Sequence, residues 1–254
     1  MRKALLASLK RSLQGRGFLL AFLGAALVVL FAAFESFLGA FRSEQLLPYG
    51  YHHSLILSAL SSQPMALALP ILCALPYTAA FLDDVKSGFI KAYLPRTTVT
   101  RYITSQALAC AISGGLALFM GILVAYGLTA LLLLPLEAMR DYLLEPPGYF
   151  LQLLETLVMF FASGAFWVLV GLTFATLTNS RYMAYASPFV LFYLLVILYE
   201  RYFDKLYILY PREWLNPSGR WVFGRIGVAV LLLELSALMA LLFAWAAKRR
   251  LRQI

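Results

Sequence analysis

The chain has 254 residues, is 62% hydrophobic and only 13% charged, and carries a formal net charge of +9. A water-soluble domain of this length holds far more charge, so the composition excludes an ordinary cytosolic globule. Apolar runs of 18 residues or more recur, which points to membrane-crossing helices; a closed barrel would show short alternating segments instead. The expected fold class is therefore all-α, a polytopic membrane protein forming a single transmembrane domain over 1–254.

Residues 1–17 read as an interfacial helix. Leu5, Leu6, Leu9 and Leu13 share one face, and Lys3, Lys10 and Arg11 lie away from it, a pattern that suits the headgroup layer of anionic lipid. The apolar run that follows is longer than the core of a cleaved signal peptide. Six spans are expected, over about 18–40, 62–82, 103–132, 151–177, 183–199 and 222–247. The first outer connection, 41–60, holds the adjacent pair His52 and His53, which reads as exposed loop polarity; from Leu55 onward it is apolar enough to dip back into the bilayer. Pro64, Pro70 and Pro76 all fall in the second span and predict one bent helix. Small residues four apart, Ala111 with Gly115 and Gly121 with Ala125, permit close helix contact, as do Gly164, Gly171 and Ala175 in the fourth span. Cys73 and Cys110 sit inside apolar runs and read as packing residues. The last outer connection is rich in Tyr and Trp and is expected to be ordered at the interface.

The polar stretch between spans two and three, DDVKSGFIKAYLPRTTVTRYIT, is the most patterned segment outside the spans. Asp83 and Asp84 stop an apolar run. Val85, Phe89, Ile90 and Tyr93 recur at helical spacing, with Lys86 and Lys91 off that face, and predict one short amphipathic helix. Pro95 ends it, and Thr97, Thr98 and Thr100 are candidate N-caps for the next helix. Fourteen of the 21 Lys and Arg fall in the N-terminal helix, this segment, the turn at Arg181 and the C-terminal tail. The positive-inside rule then puts all four, and both termini, in the cytoplasm. The same rule accounts for the net charge. No nucleic-acid recognition pattern accompanies it, so no nucleic-acid partner is expected.

There is no Walker A sequence, no His-Glu-x-x-His, no Cys-x-x-Cys and no Gly-x-Ser-x-Gly. No catalytic, cofactor-binding or metal-binding residue is assigned, and the chain is not expected to be an enzyme. Three acids in the apolar runs are candidates for a substrate path: Glu35 and Glu155 near outer ends, and Glu234 near the middle of the sixth span.

Within FLDDVKSGFIKAYLPRTTVTRYITSQ, acidic residues precede Ser-Gly, a short helix, Arg-Thr and an aromatic. Together with the order of spans, this resembles the permease subunits of bacterial type-2 ATP-binding-cassette (ABC) exporters. On that likeness Asp83, Gly88, Arg96 and Tyr102 take the family positions, and residues 83–102 form a cytoplasmic coupling segment. The resemblance implies a second permease copy or relative, separate ABC ATPase subunits that bind ATP and Mg, and a bacterial cytoplasmic membrane. It implies ATPase docking by Asp83, Asp84, Lys86, Gly88, Phe89, Ile90, Lys91, Tyr93, Arg96 and Arg101. Few charges in the spans favour a hydrophobic or amphiphilic cargo such as a peptide, antibiotic or lipid. Two other classes remain open on the residues: an ion-coupled secondary transporter using Glu234 or Glu35, and a membrane subunit that anchors or regulates an ATPase without transport.

Overall fold

The computed structural model describes residues 2–43, 45–93, 95, 97–138, 148–203, 205–221 and 223–252. Ten α-helices are described: α1 Arg2–Leu13, α2 Arg16–Arg42, α3 Tyr51–Leu60, α4 Gln63–Ala74, α5 Ala80–Lys86, α6 Phe89–Tyr93, α7 Val99–Leu133, α8 Tyr149–Thr178, α9 Arg181–Arg201 and α10 Gly224–Leu251. Among the described residues there is no strand, only a single parallel bridge between Leu47 and Glu137. Five helices (α2, α7, α8, α9 and α10) are long and apolar enough to cross a bilayer, and a sixth crossing arises if the bent pair α3–α4 counts as one. The architecture is that of a polytopic helical membrane protein.

Helix α8 is the centre. Its most apolar window is 72% buried, against 17–39% for the other four long helices. Small residues let neighbours approach it. A Cβ at Gly164 would lie 2.8 Å from the Gly114 carbonyl oxygen on α7, and one at Gly171 would lie 2.6 Å from the Ala184 carbonyl oxygen on α9. The backbones can be this close only because neither side carries bulk, which is the main source of helix affinity in lipid. Gly121 likewise meets Ala25 and the Phe22 carbonyl of α2. The small residues named from sequence thus serve three different neighbours. Trp167 of α8 packs on Phe166, Phe192 and Trp214. Trp214 comes from the connection before α10 and is buried, its indole N–H donating to the Ile208 carbonyl at 2.8 Å. That connection therefore plugs into the bundle as well as lying at its edge.

The second span differs from its expectation. The three prolines do not share one bent helix. Pro64 stands in the first turn of α4, where no intrahelical donor is needed, and Pro70 lies inside. Pro76 falls in the break after Ala74, followed by Tyr77 at a left-handed φ of 54°. Thr78 Oγ1 donates to the Ala74 carbonyl at 2.5 Å and covers one acceptor left open by the break. At its other end α4 meets α3 at a bend of 64°. Serines stabilise that bend: Ser58, Ser61 and Ser62 donate to the Leu55, Leu57 and Ala59 carbonyls. Much of the connection expected over 41–60 is thus the helix α3.

Contacts define two ends. At one, Leu75 abuts Gly17, Arg181 pairs with Asp83, and Arg250 donates to the Thr176 carbonyl. Both α1 and the end of α10 belong there. At the far end, Gly50 lies against Tyr149 and the Leu47–Glu137 bridge joins two loops. The α3–α4 pair runs from the second end to the first.

Candidate functional site

The predicted docking segment folds into two short helices, not one. Gly88 has φ 74° and separates α5 from α6. No atom lies within 4 Å of where its Cβ would be, so glycine is needed there for the backbone angle and not for space. The apolar residues consequently do not form a single face. Ile90 is buried, Val85 and Tyr93 are half-buried, and Phe89 is 44% exposed. Lys86, Lys91 and Arg101 are exposed. Thr98 is the N-cap of α7, its hydroxyl accepting from the Arg101 N–H at 3.4 Å. Arg96 lies outside the described residues.

Asp84 is the main correction. The family likeness puts it on the docking surface, but its side chain is only 2% exposed. Its Oδ1 accepts from the Arg11 guanidinium at 2.5 Å. Its Oδ2 accepts from the Tyr102 hydroxyl at 2.7 Å and from Gln106 Nε2 at 3.3 Å. Tyr77 donates to Gln106 Oε1 at 3.2 Å. A buried carboxylate demands such partners, since an unpaired one would be costly. One residue of α5 therefore holds together α1, the turn after α4 and the start of α7. Arg11, assigned from sequence to lipid headgroups, spends its charge on this pair and also lies over the Tyr77 and Phe89 rings at 5.9 and 5.8 Å.

Aromatic contacts continue the cluster. Phe89 stacks on Tyr93 at 5.3 Å between centroids, Tyr93 meets Tyr102 at 5.7 Å, and Phe81 meets Phe243 of α10 edge-on at 5.4 Å. The exposed ring of Phe89 is thus connected through two tyrosines to the first turn of α7. Asp83, half-exposed, pairs instead with Arg181 at 2.6 Å and ties α5 to the α8–α9 turn. Sequence reading had Tyr102 only through the family likeness, and missed Arg11, Tyr77 and Gln106 as partners. The available signal was Tyr102, Gln106 and Ser113, a polar row at helical spacing along α7.

The three acids proposed for a substrate path are not brought together. Glu35 and Glu234 are exposed on the outer faces of α2 and α10. Glu155 pairs with Arg225 at 2.5 Å.

The histidines also differ from expectation. They lie on α3, His53 buried and His52 half-buried, rather than in an exposed loop. Glu137 explains the placement: its carboxylate accepts the Gly50 and His52 backbone N–H groups at 3.0 and 2.7 Å, filling the positive N-terminus of α3. His52 Nδ1 lies 2.7 Å from the same carboxylate and Nε2 lies 3.2 Å from the Tyr126 hydroxyl. Among the described residues no group of three or more His, Cys, Asp or Glu could hold a metal ion.

Compared with protein-family models, with curated proteins and with solved structures, the chain matches none of them.

Proposed function

We propose that this chain is the membrane-spanning permease subunit of an ATP-driven ABC exporter, set in a bacterial cytoplasmic membrane with both termini inside. On this reading it crosses six times, with α3–α4 as the second crossing; that the pair runs from one end of the bundle to the other supports the count. Two copies, or this chain and a related permease, enclose the path. Separate ATPase subunits bind ATP and Mg and dock on residues 83–102 through Phe89, Lys86, Lys91 and Arg101. The cargo is hydrophobic or amphiphilic.

The observation that carries the reading is the buried anchor beneath an exposed handle. Phe89 presents an apolar ring among cations, while Asp84, five residues earlier, is locked to α1 and α7. A partner that grips Phe89 differently in its ATP-bound and ATP-free states would shift the tilt of α7, because the contact must discriminate between two arrangements to move the equilibrium.

Co-purification with a Walker A-bearing ATPase tests this. Phe89→Asp is expected to reduce recovery of the complex about tenfold, equivalent to roughly 1.4 kcal/mol, with the permease still folded. Undiminished complex and unchanged ATP-dependent transport in that variant would sink the docking proposal. Glu234→Gln separates the ion-coupled alternative: loss of a flux that needs no ATPase would favour that class instead.

A further inference from the structure

A cavity of about 480 Å³ opens at the far end, where α3 bends into α4 and the segment between α9 and α10 folds over them. Its size falls within the roughly 300–1,000 Å³ of small-ligand sites. Ser61, Gln63, Arg212 and Arg225 give it a polar, cationic side; Leu60 and Phe160 give it an apolar one.

The two arginines are not equivalent. Arg225 is already neutralised by Glu155. Among the described residues Arg212 has no carboxylate within ion-pair distance; its Nε is buried without a hydrogen-bond partner, and the neutral Tyr210 hydroxyl is the side-chain group that meets the rest of its guanidinium. Glu213, the acid in the wall, takes the Ser218 backbone N–H at 2.8 Å and so is partly satisfied from within. What the described part of the cavity lacks is an anionic partner for the Arg212 guanidinium. A planar fork of N–H donors is matched best by a carboxylate or phosphate.

The apolar side continues out of the cavity. Gln63, which lines it, is followed on the same face of α4 by Leu67 and Ile71, at four-residue spacing, and both are exposed. A hydrocarbon chain laid on that stripe would start at the cavity and run along α4.

We propose that this cavity binds the head group of an anionic amphiphile, a phosphate or carboxylate on a hydrocarbon chain, with Arg212 as the charge partner and the Leu67–Ile71 stripe against the chain. The site belongs to this chain alone and needs no ATPase.

The test is calorimetric titration of dodecyl phosphate into the full chain in phosphatidylcholine nanodiscs, with empty nanodiscs subtracted. Inorganic phosphate and dodecylphosphocholine serve as separate arms. Saturable binding is expected, about tenfold tighter for dodecyl phosphate than for either comparison compound. Arg212→Gln is expected to weaken it by about tenfold or more. Asn216→Phe, which adds bulk at an exposed cavity-wall position, should do the same and decides the matter if Arg212→Gln does not fold. Equal binding of dodecylphosphocholine would show no demand for net negative charge and overturn the proposal. Equal binding of inorganic phosphate would mark a small-anion site and overturn the amphiphile. Unchanged affinity in Asn216→Phe would place any binding elsewhere.

Discussion

Asp84 and Arg11 are 73 residues apart in the chain and meet at 2.5 Å, the carboxylate almost wholly buried and the guanidinium half-exposed. The pair joins the N-terminal helix to the segment between α4 and α7. Since Arg11 is half in solvent, the attraction itself is screened; the larger effect is what happens to Asp84 without it. Arg11→Met is expected to lower stability by about 1–3 kcal/mol, the cost of an under-satisfied buried acceptor. Arg11→Met combined with Asp84→Asn should recover part of that loss. A double-mutant cycle on thermal unfolding in detergent reads the coupling directly; strictly additive losses would mean the two groups do not interact.

Gly88 separates α5 from α6 by its φ of 74°. With open space around its Cβ position, a substitution there costs backbone strain alone. Gly88→Ala is expected to cost about 1 kcal/mol, and Gly88→Asn less, since asparagine tolerates the left-handed region. Unfolding of the two variants side by side provides the measurement. Equal losses would point to a steric cause instead.

The α7–α8 contact depends on two glycines facing each other. Gly164→Val places carbon atoms against the Gly114 backbone, where even a Cβ would lie 2.8 Å from oxygen. The helices must separate, and a loss of several kcal/mol is expected, about 3 or more, from the packing forfeited along α8. Gly127→Ala is the control: it lies on α7 with nothing within 4 Å of its Cβ position. Recovery of monodisperse protein should collapse for the first and stay unchanged for the second.

At the far end, Glu137 accepts two backbone N–H groups from the start of α3. Glu137→Ala removes the acceptor and the favourable charge at the helix N-terminus together. Amide exchange at Gly50 and His52 is expected to accelerate about tenfold, equivalent to roughly 1.4 kcal/mol, with little change in α8. Exchange unaltered at those two amides would show that the carboxylate does not hold them.

The long apolar helices were legible because hydrophobic length is a local property, readable without knowing any neighbour. The cap of α7 was legible only as one of Thr97, Thr98 and Thr100; the structure places it at Thr98. The break at Gly88 was less so: the helical spacing of Val85, Phe89 and Ile90 ran across it, and a periodic pattern does not register a glycine that turns left-handed.

What the sequence by itself determined is that this chain is helical, spans a membrane, and carries a basic, patterned segment between two of its apolar runs. Which of its acids is buried was decided only by the tertiary structure. Asp83 and Asp84 are neighbours, and adjacent positions on a helix point about 100° apart, so the choice between them depends on the rotation of α5 about its axis. Phe81 packing edge-on against Phe243, more than 160 residues away, accompanies the rotation that turns Asp84 toward Arg11 and Tyr102 and leaves Asp83 for Arg181. The same holds for Arg212, left without a carboxylate partner among the described residues. Each is a fact about which groups meet after distant elements pack, and no local pattern contains it.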